Sequence, residues 1–233
     1  MPLLAVDHLT KTYVNDDVET PALRDVSFTI AAGEFVAITG PSGCGKSTLL
    51  HLLGFLDVPT SGAYRFDGRS SADYSPAELA AVRNQKMGFV FQAFNLLARA
   101  SVRDNVRLPL LYSRVPETEW DTRVRAAIDA VGLTHRIDHL AARLSGGEKQ
   151  RTAIARALVV DPAVIFADEP TGNLDSASGS AIMETIVGLN RRGHTVVLIT
   201  HDPAIARTAG RIIRMRDGKI ESDRKFQSSN PKS

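Results

Sequence analysis

The chain has 233 residues, a formal net charge of +2 and one cysteine, Cys44. A length of this order suits one large α/β domain, or a domain with a subdomain, and can bury a core without disulfides or structural metals. The near-neutral charge gives no sign of a nucleic-acid binder, and a single cysteine excludes both a disulfide framework and a cysteine-built zinc site.

Val26–Ile30 alternates apolar and polar residues, as a half-exposed antiparallel strand does. After a turn at Ala31–Glu34, Phe35–Thr39 is continuously apolar and reads as a strand buried on both faces. Leu49, Leu50, Leu52 and Leu53 follow at helical spacing, with Gly54 as the stop. Ala63–Phe66 and the Asp67-Gly68 turn read as a hairpin. Ser75-Pro76-Ala77-Glu78 carries a serine cap, proline at the first helical position and glutamate at the third. Residues from about 93 to 156 are predicted mostly helical, with an apolar stripe at Val124, Ile128 and Val131 closed by Gly132. Val164–Ala167 and Val196–Thr200 are two more buried strands, joined through a helix carrying Ile182, Ile186 and Leu189 as a βαβ unit. Arg211–Met215 and Lys219-Ile220 make a closing hairpin, and the polar stretch Ser222–Ser233 is expected to be disordered. No apolar run approaches the ~20 residues that span a bilayer. Met1–Asp7 does not read as a signal peptide, so any work at a membrane is expected to depend on another subunit.

Gly40-Pro41-Ser42-Gly43-Cys44-Gly45-Lys46-Ser47-Thr48 matches the phosphate-binding Walker A pattern in full. A buried strand precedes it and an apolar helix follows, the context the pattern requires. The glycines let backbone N–H groups curl round phosphate oxygens, Lys46 neutralises the β- and γ-phosphates, and the Ser47 hydroxyl is a candidate Mg²⁺ ligand. Val164–Ala167 ends in Asp168-Glu169. An Asp-Glu pair after a core strand is common; beside a complete phosphate loop, Asp168 becomes the candidate that holds Mg²⁺ and Glu169 the group that polarises water. Gln92 and His201 each follow an apolar strand, and each alone is a weak signal.

Leu144-Ser145-Gly146-Gly147-Glu148 resembles the LSGGQ signature of ABC ATPases and lies a short helix upstream of Asp168. The resemblance runs from Tyr13 to about Ile220. It implies a P-loop NTPase with a RecA-like α/β core, an N-terminal antiparallel β subdomain and an inserted α-helical subdomain (about 93–156), within a domain of residues 1–224 and a tail at 225–233. It implies that Tyr13 stacks on adenine, that Gln92 is the glutamine that meets the metal or the attacking water and His201 the histidine that reaches the γ-phosphate, and that Asp175 belongs to the loop Asn173-Leu174-Asp175. It further implies ATP and Mg²⁺ held between two copies arranged head to tail, with Ser145, Gly146 and Gly147 of one copy completing the site built on Lys46 of the other. Glu148 departs from the commonest signature, which has glutamine there.

Gly40–Lys46, Gly88–Leu97, Asn105–Leu110 and Asp168–Asp175 are similar to the branch of macrolide export, lipoprotein release and FtsE subunits. That branch implies an FtsX-like integral membrane permease as partner and a peripheral place on the cytoplasmic face of the inner membrane. Phe94 and Leu97 are then expected at the docking groove, unless they belong to the helical core. ABC ATPases of DNA repair carry a long coiled coil or zinc modules between the two motifs, and translation factors carry two cassettes; neither pattern is present, and no nucleic-acid partner is expected.

Overall fold

A computed structural model describes residues 1–16 and 18–226. In chain order its elements begin with β1 (Leu4–Asn15), β2 (Val18–Ile30), β3 (Phe35–Thr39), α1 (Lys46–Leu53), β4 (Ser61–Phe66) and β5 (Arg69–Ser70). They continue with α2 (Pro76–Lys86), β6 (Met87–Phe91), α3 (Val102–Arg107), α4 (Glu117–Asp129) and α5 (Gly146–Leu158). The last are β7 (Val164–Asp168), α6 (Ser176–Arg191), β8 (Thr195–Ile199), α7 (Pro203–Ala206), β9 (Arg211–Arg216) and β10 (Lys219–Lys225). Two compact units result, Met1–Tyr74 with the stretch from Thr195 onward, and Ser75–His194.

The first unit holds an antiparallel sheet in the order β2-β1-β4-β5 and the run β10-β9-β3-β8. β3 is parallel to both β8 and β9, and β10 turns back antiparallel on β9. Phe35–Ile38 and Val196–Ile199 are buried throughout, which is why they carry unbroken apolar sequence. On β2 only every second residue from Val26 to Ile30 is buried, the period of a strand with one wet face. α1 does end at Gly54, but that glycine has φ −85. The left-handed residue is Phe55, with φ 54. Its ring is held by Tyr64, Phe66 and Tyr74, and Tyr64 donates its hydroxyl to Leu53 O at 2.7 Å. Aromatic packing thus stabilises a backbone conformation that the sequence rule reserves for glycine.

The stretch from Ser222 corrects the expectation of a disordered end. Ser222–Lys225 form the second half of β10, paired with Arg214–Arg211 of β9. Arg211, 6 % exposed, donates to both oxygens of Asp223, to Glu34 and to Thr29 O. Those bonds hold its guanidinium above its usual pKa, against the cost of burial. The rest of the expected tail, 227–233, lies outside the described residues.

In the second unit β6 and β7 pair in parallel from Met87↔Val164 to Phe91↔Asp168. α2 starts on the expected capping box, with Ser75 and Glu78 each accepting the other's backbone N–H. Between β6 and β7 the described elements are helices and 3-10 turns. α4 buries Trp120, Val124, Ala127 and Ile128, and Gly132 closes it at φ 69. Asn105, fully buried, fixes the 97–101 loop by bonds to Leu97 N, Leu97 O and Ser101 O. Among the described residues no helix is long and apolar enough to cross a membrane.

Candidate functional site

The loop between β3 and α1 owes its shape to three glycines, Gly40, Gly43 and Gly45, at φ 151, 77 and 98. Two of them also lack room for a side chain. A Cβ on Gly40 would lie 2.3 Å from Met215 O, and one on Gly45 2.4 Å from Ala22 O. Cys44 is buried; its N–H donates to Pro41 O, and its carbonyl accepts from Gly218 N–H at 3.2 Å. Lys46 Nζ donates back to Gly40 O at 2.9 Å and Pro41 O at 2.8 Å. Pro41, Ser42, Gly43 and Ser47 are exposed, and Thr48 is half-buried. The first turn of α1 carries no acidic residue, so no carboxylate there opposes the positive end of the helix or the ammonium.

His201 stands close by in the same unit. Ile38 and Ile199 are register partners in β3 and β8, and Thr200 N–H donates to Ile38 O. Gly40 and His201 therefore leave adjacent parallel strands at their carboxyl ends, where ligands of such sheets sit. Tyr13, on β1, is half-exposed. Its hydroxyl donates to Asp57 Oδ2 at 2.9 Å, and Lys11 Nζ lies 4.9 Å from its ring centroid. Lys11 also donates to Asp57 Oδ1 and Val58 O, both at 2.7 Å. Burial pushes the Asp57 carboxyl up, but bonds from Lys11, Val58 N–H and Tyr13 outweigh it and hold the pKa below the usual value. Lys11 and Asp57 were not among the sequence candidates. Lys11 shares a strand face with Tyr13, a faint signal; Asp57 had none.

In the second unit Gln92, Asp168 and Glu169 come together at the carboxyl ends of β6 and β7, because Phe91 and Asp168 are register partners. Gln92 Nε2 donates to Asn173 Oδ1 at 3.2 Å, and Asn173 Nδ2 donates to Gln92 O at 3.0 Å. A Cβ on Gly172 would meet Gln92 Nε2 at 2.7 Å, so glycine there admits the glutamine. Glu169 has φ 46, a left-handed conformation uncommon for such a residue and frequent at functional sites. Asp175 caps α6, accepting from Ser178 N–H at 2.9 Å, a bond that holds its carboxyl below the usual pKa.

Ser145 is the exposed cap of α5. Its side chain accepts from Glu148 N–H, while Glu148 accepts from Ser145 N–H at 2.8 Å and from Arg136 at 2.9 Å. These bonds, Ser145 N–H first, hold Glu148 below the usual carboxylate pKa. Glu148 thus completes a capping box, the role glutamine can also play at that position. Gly146 and Gly147 sit tight against Leu174 and Ser178, with an added Cβ at 3.0 and 3.3 Å. Beyond Gln92, Leu97 is 53 % exposed and Phe94 half-buried.

A glycine loop that wraps its own lysine, set between a buried parallel strand and a helix, defines a P-loop nucleotide-binding protein. The ABC transporter family matches residues 23–172, and the chain belongs to that family. It is 48% identical over 97% of its length to a macrolide export ATP-binding/permease protein, MacB, of Bdellovibrio bacteriovorus, and spans 34% of that relative. It is 45% identical to the ABC transporter ATP-binding protein YknY of Bacillus subtilis, over 94% of this chain and 95% of that one. A solved dimer of the ATP-binding cassette MJ0796 in a post-hydrolysis state with ADP and Pi is 40% identical, with a TM-score of 0.87 over 97% of this chain and 99% of that one. The structure of cbiO1 from Clostridium perfringens is 34% identical, with a TM-score of 0.85 over 95% of this chain and 88% of that one. The protein is therefore an ATP-binding cassette, an ATPase with the fold expected from its sequence.

Proposed function

We propose that the chain binds ATP as a head-to-tail pair of copies and uses its hydrolysis to drive a separate FtsX-like integral membrane permease from the cytoplasmic side. The observation that carries the pairing is Ser145. It is an exposed helix cap with two glycines behind it, in a chain with one phosphate loop. Lys46 and the loop N–H groups hold the β- and γ-phosphates, and Tyr13 carries the base. Glu169 draws a proton from the attacking water, which Gln92 positions; the water oxygen bonds to the γ-phosphorus held by His201 as the bond to the bridging oxygen of ADP breaks, and ADP and phosphate leave. Ser145–Gly147 of the second copy donate to the γ-phosphate and stabilise the charge that develops there.

Ser47, Asp168 and Gln92 would hold Mg²⁺. Among the described residues no cluster of three or more His, Cys, Asp or Glu is arranged for a metal. One hydroxyl, one carboxylate and one amide fit Mg²⁺, which keeps several waters and leans on substrate phosphates. Bound there, it would neutralise charge between the β- and γ-phosphates.

The MacB relatives, about three times as long, are named as combined ATP-binding and permease proteins, which supports a permease partner for this chain. Exposed Leu97 supports a docking surface beyond Gln92. Mixing Lys46→Ala with Ser145→Arg tests the pairing: recovery of ATPase from two inactive chains is expected, since one site of the mixed pair keeps both halves. A mixture that stays inactive, while each variant still binds to wild type, would count against shared sites. Purification from membranes tests the partner: capture of an integral membrane protein is expected, and capture of ribosomes or DNA alone would overturn it.

A further inference from the structure

Gln92 is exposed, yet the backbone on both sides of it is gripped from one helix. Before it, Gln150 Nε2 donates to Phe91 O at 3.4 Å. After it, the Arg156 guanidinium donates to Phe94 O at 2.9 Å and to Asn95 O. Both side chains belong to α5, the helix whose start is Ser145–Gly147. Phe94 and Asn95 lie at φ 61 and 51, two successive left-handed residues neither of which is glycine. Such a backbone is costly unless its surroundings hold it. Here it presents neighbouring carbonyls to one planar fork, a match that lysine cannot reproduce. Burial holds the Arg156 pKa below the usual value, and among the described ion pairs none involves Arg156. A part-buried cation is thus committed to the loop carbonyls. The Gln150 arm is looser, since its bond is long and its Oε1 is buried without a partner.

We infer that Arg156 is a positioning residue: by clamping the Phe94 and Asn95 carbonyls it ties Gln92 to the helix that begins at Ser145, so that placement of the glutamine and of the signature segment is one rigid event. This rests on Gln92 acting in hydrolysis. Through it, an anion held at Ser145–Gly147 and the group that meets the metal and water in the same chain report on each other.

The test compares Arg156→Lys and Arg156→Ala with wild type, in Gln92 and Gln92→Ala backgrounds. Arg103→Lys, which alters a guanidinium–carboxylate pair with exposed Asp138, serves as control. Arg156→Lys is expected to lower kcat by about tenfold or more with KM for ATP little changed, the usual cost of a misplaced group. With Gln92 already alanine, the same change is expected to alter kcat by less than about twofold, the mark of two residues acting as one. Hydrogen exchange over residues 91–97 should speed up in Arg156→Lys and not in Arg103→Lys. An equal loss in both backgrounds would overturn the inference and leave Gln92 in its role. A Gln92→Ala chain with unchanged turnover would overturn both.

Discussion

Gly43 and Gly45 lie two residues apart in the phosphate loop, both with positive φ, yet their substitution by alanine should have different consequences. At Gly43, φ is 77 and a Cβ would meet nothing within 4 Å. Only the left-handed backbone is penalised, by about 1–2 kcal/mol for a residue with a Cβ. At Gly45, φ is 98, and the Cβ would also stand 2.4 Å from Ala22 O and 2.9 Å from Leu23 Cδ2. The nearer atom belongs to backbone and cannot swing aside, so overpacking adds about 1–3 kcal/mol. The sum for Gly45→Ala is about 2–5 kcal/mol. At about 2–4 °C per kcal/mol for a chain of this size, Tm should fall by about 4–20 °C for Gly45→Ala and about 2–8 °C for Gly43→Ala. Thermal denaturation followed by circular dichroism, without nucleotide, gives the comparison. Gly132→Ala, at φ 69 in open space, should behave like Gly43→Ala. If Gly45→Ala proves no less stable than Gly43→Ala, the close approach to Ala22 is not what requires glycine at 45.

Glu169→Gln should lower turnover by about 10²–10⁴-fold, the usual worth of a general base. Titration calorimetry should show ATP binding retained, and sedimentation an ATP-held dimer; unchanged turnover would place the base elsewhere. Tyr13→Ala should weaken ATP by about 5–150-fold, the equivalent of about 1–3 kcal/mol of stacking, and leave inorganic tripolyphosphate unaffected. Equal weakening of both ligands would exclude the ring as a base platform. Glu148 has a folded pKa below its unfolded value, so its contribution to stability is complete above about pH 4.3 and is lost as pH falls through the folded pKa. The urea midpoints of wild type and Glu148→Gln should therefore differ at pH 7 and converge in acid; a gap that widens in acid would contradict the sign.

Local sequence carried the parts of the site that local chemistry shapes. The phosphate loop and the strands before Gly40 and Asp168 announce themselves by glycine spacing and unbroken apolar runs. The second half of β10, Ser222–Lys225, did not, because it is an edge strand held by backbone pairing, with charges on its outer face. Its deepest tie, Asp223 to Arg211, is ionic and leaves no periodic trace. Phe55 shows the same limit at α1, where distant aromatics decide which residue turns left-handed. Asp57, Gln150 and Arg156 were also invisible, and Lys11 left only a faint trace. They meet their partners across 44 to 62 residues of chain, and no spacing rule reaches that far.

The Lys46 ammonium bound by Gly40 O and Pro41 O makes the loop a closed ring with its own cationic guest, much as a crown ether encloses an ammonium. The ring is covalent from Gly40 to Lys46 and is completed by the side chain's return. Removing the guest therefore does two things at once. It deletes a charge from the phosphate seat and releases two carbonyls that were held in place. A Lys46→Ala chain is consequently not a simple charge knockout, and its inactivity alone cannot be assigned to lost phosphate contact. Lys46→Arg would retain the charge, but a broad planar cation is a poor guest for a cradle sized to an ammonium.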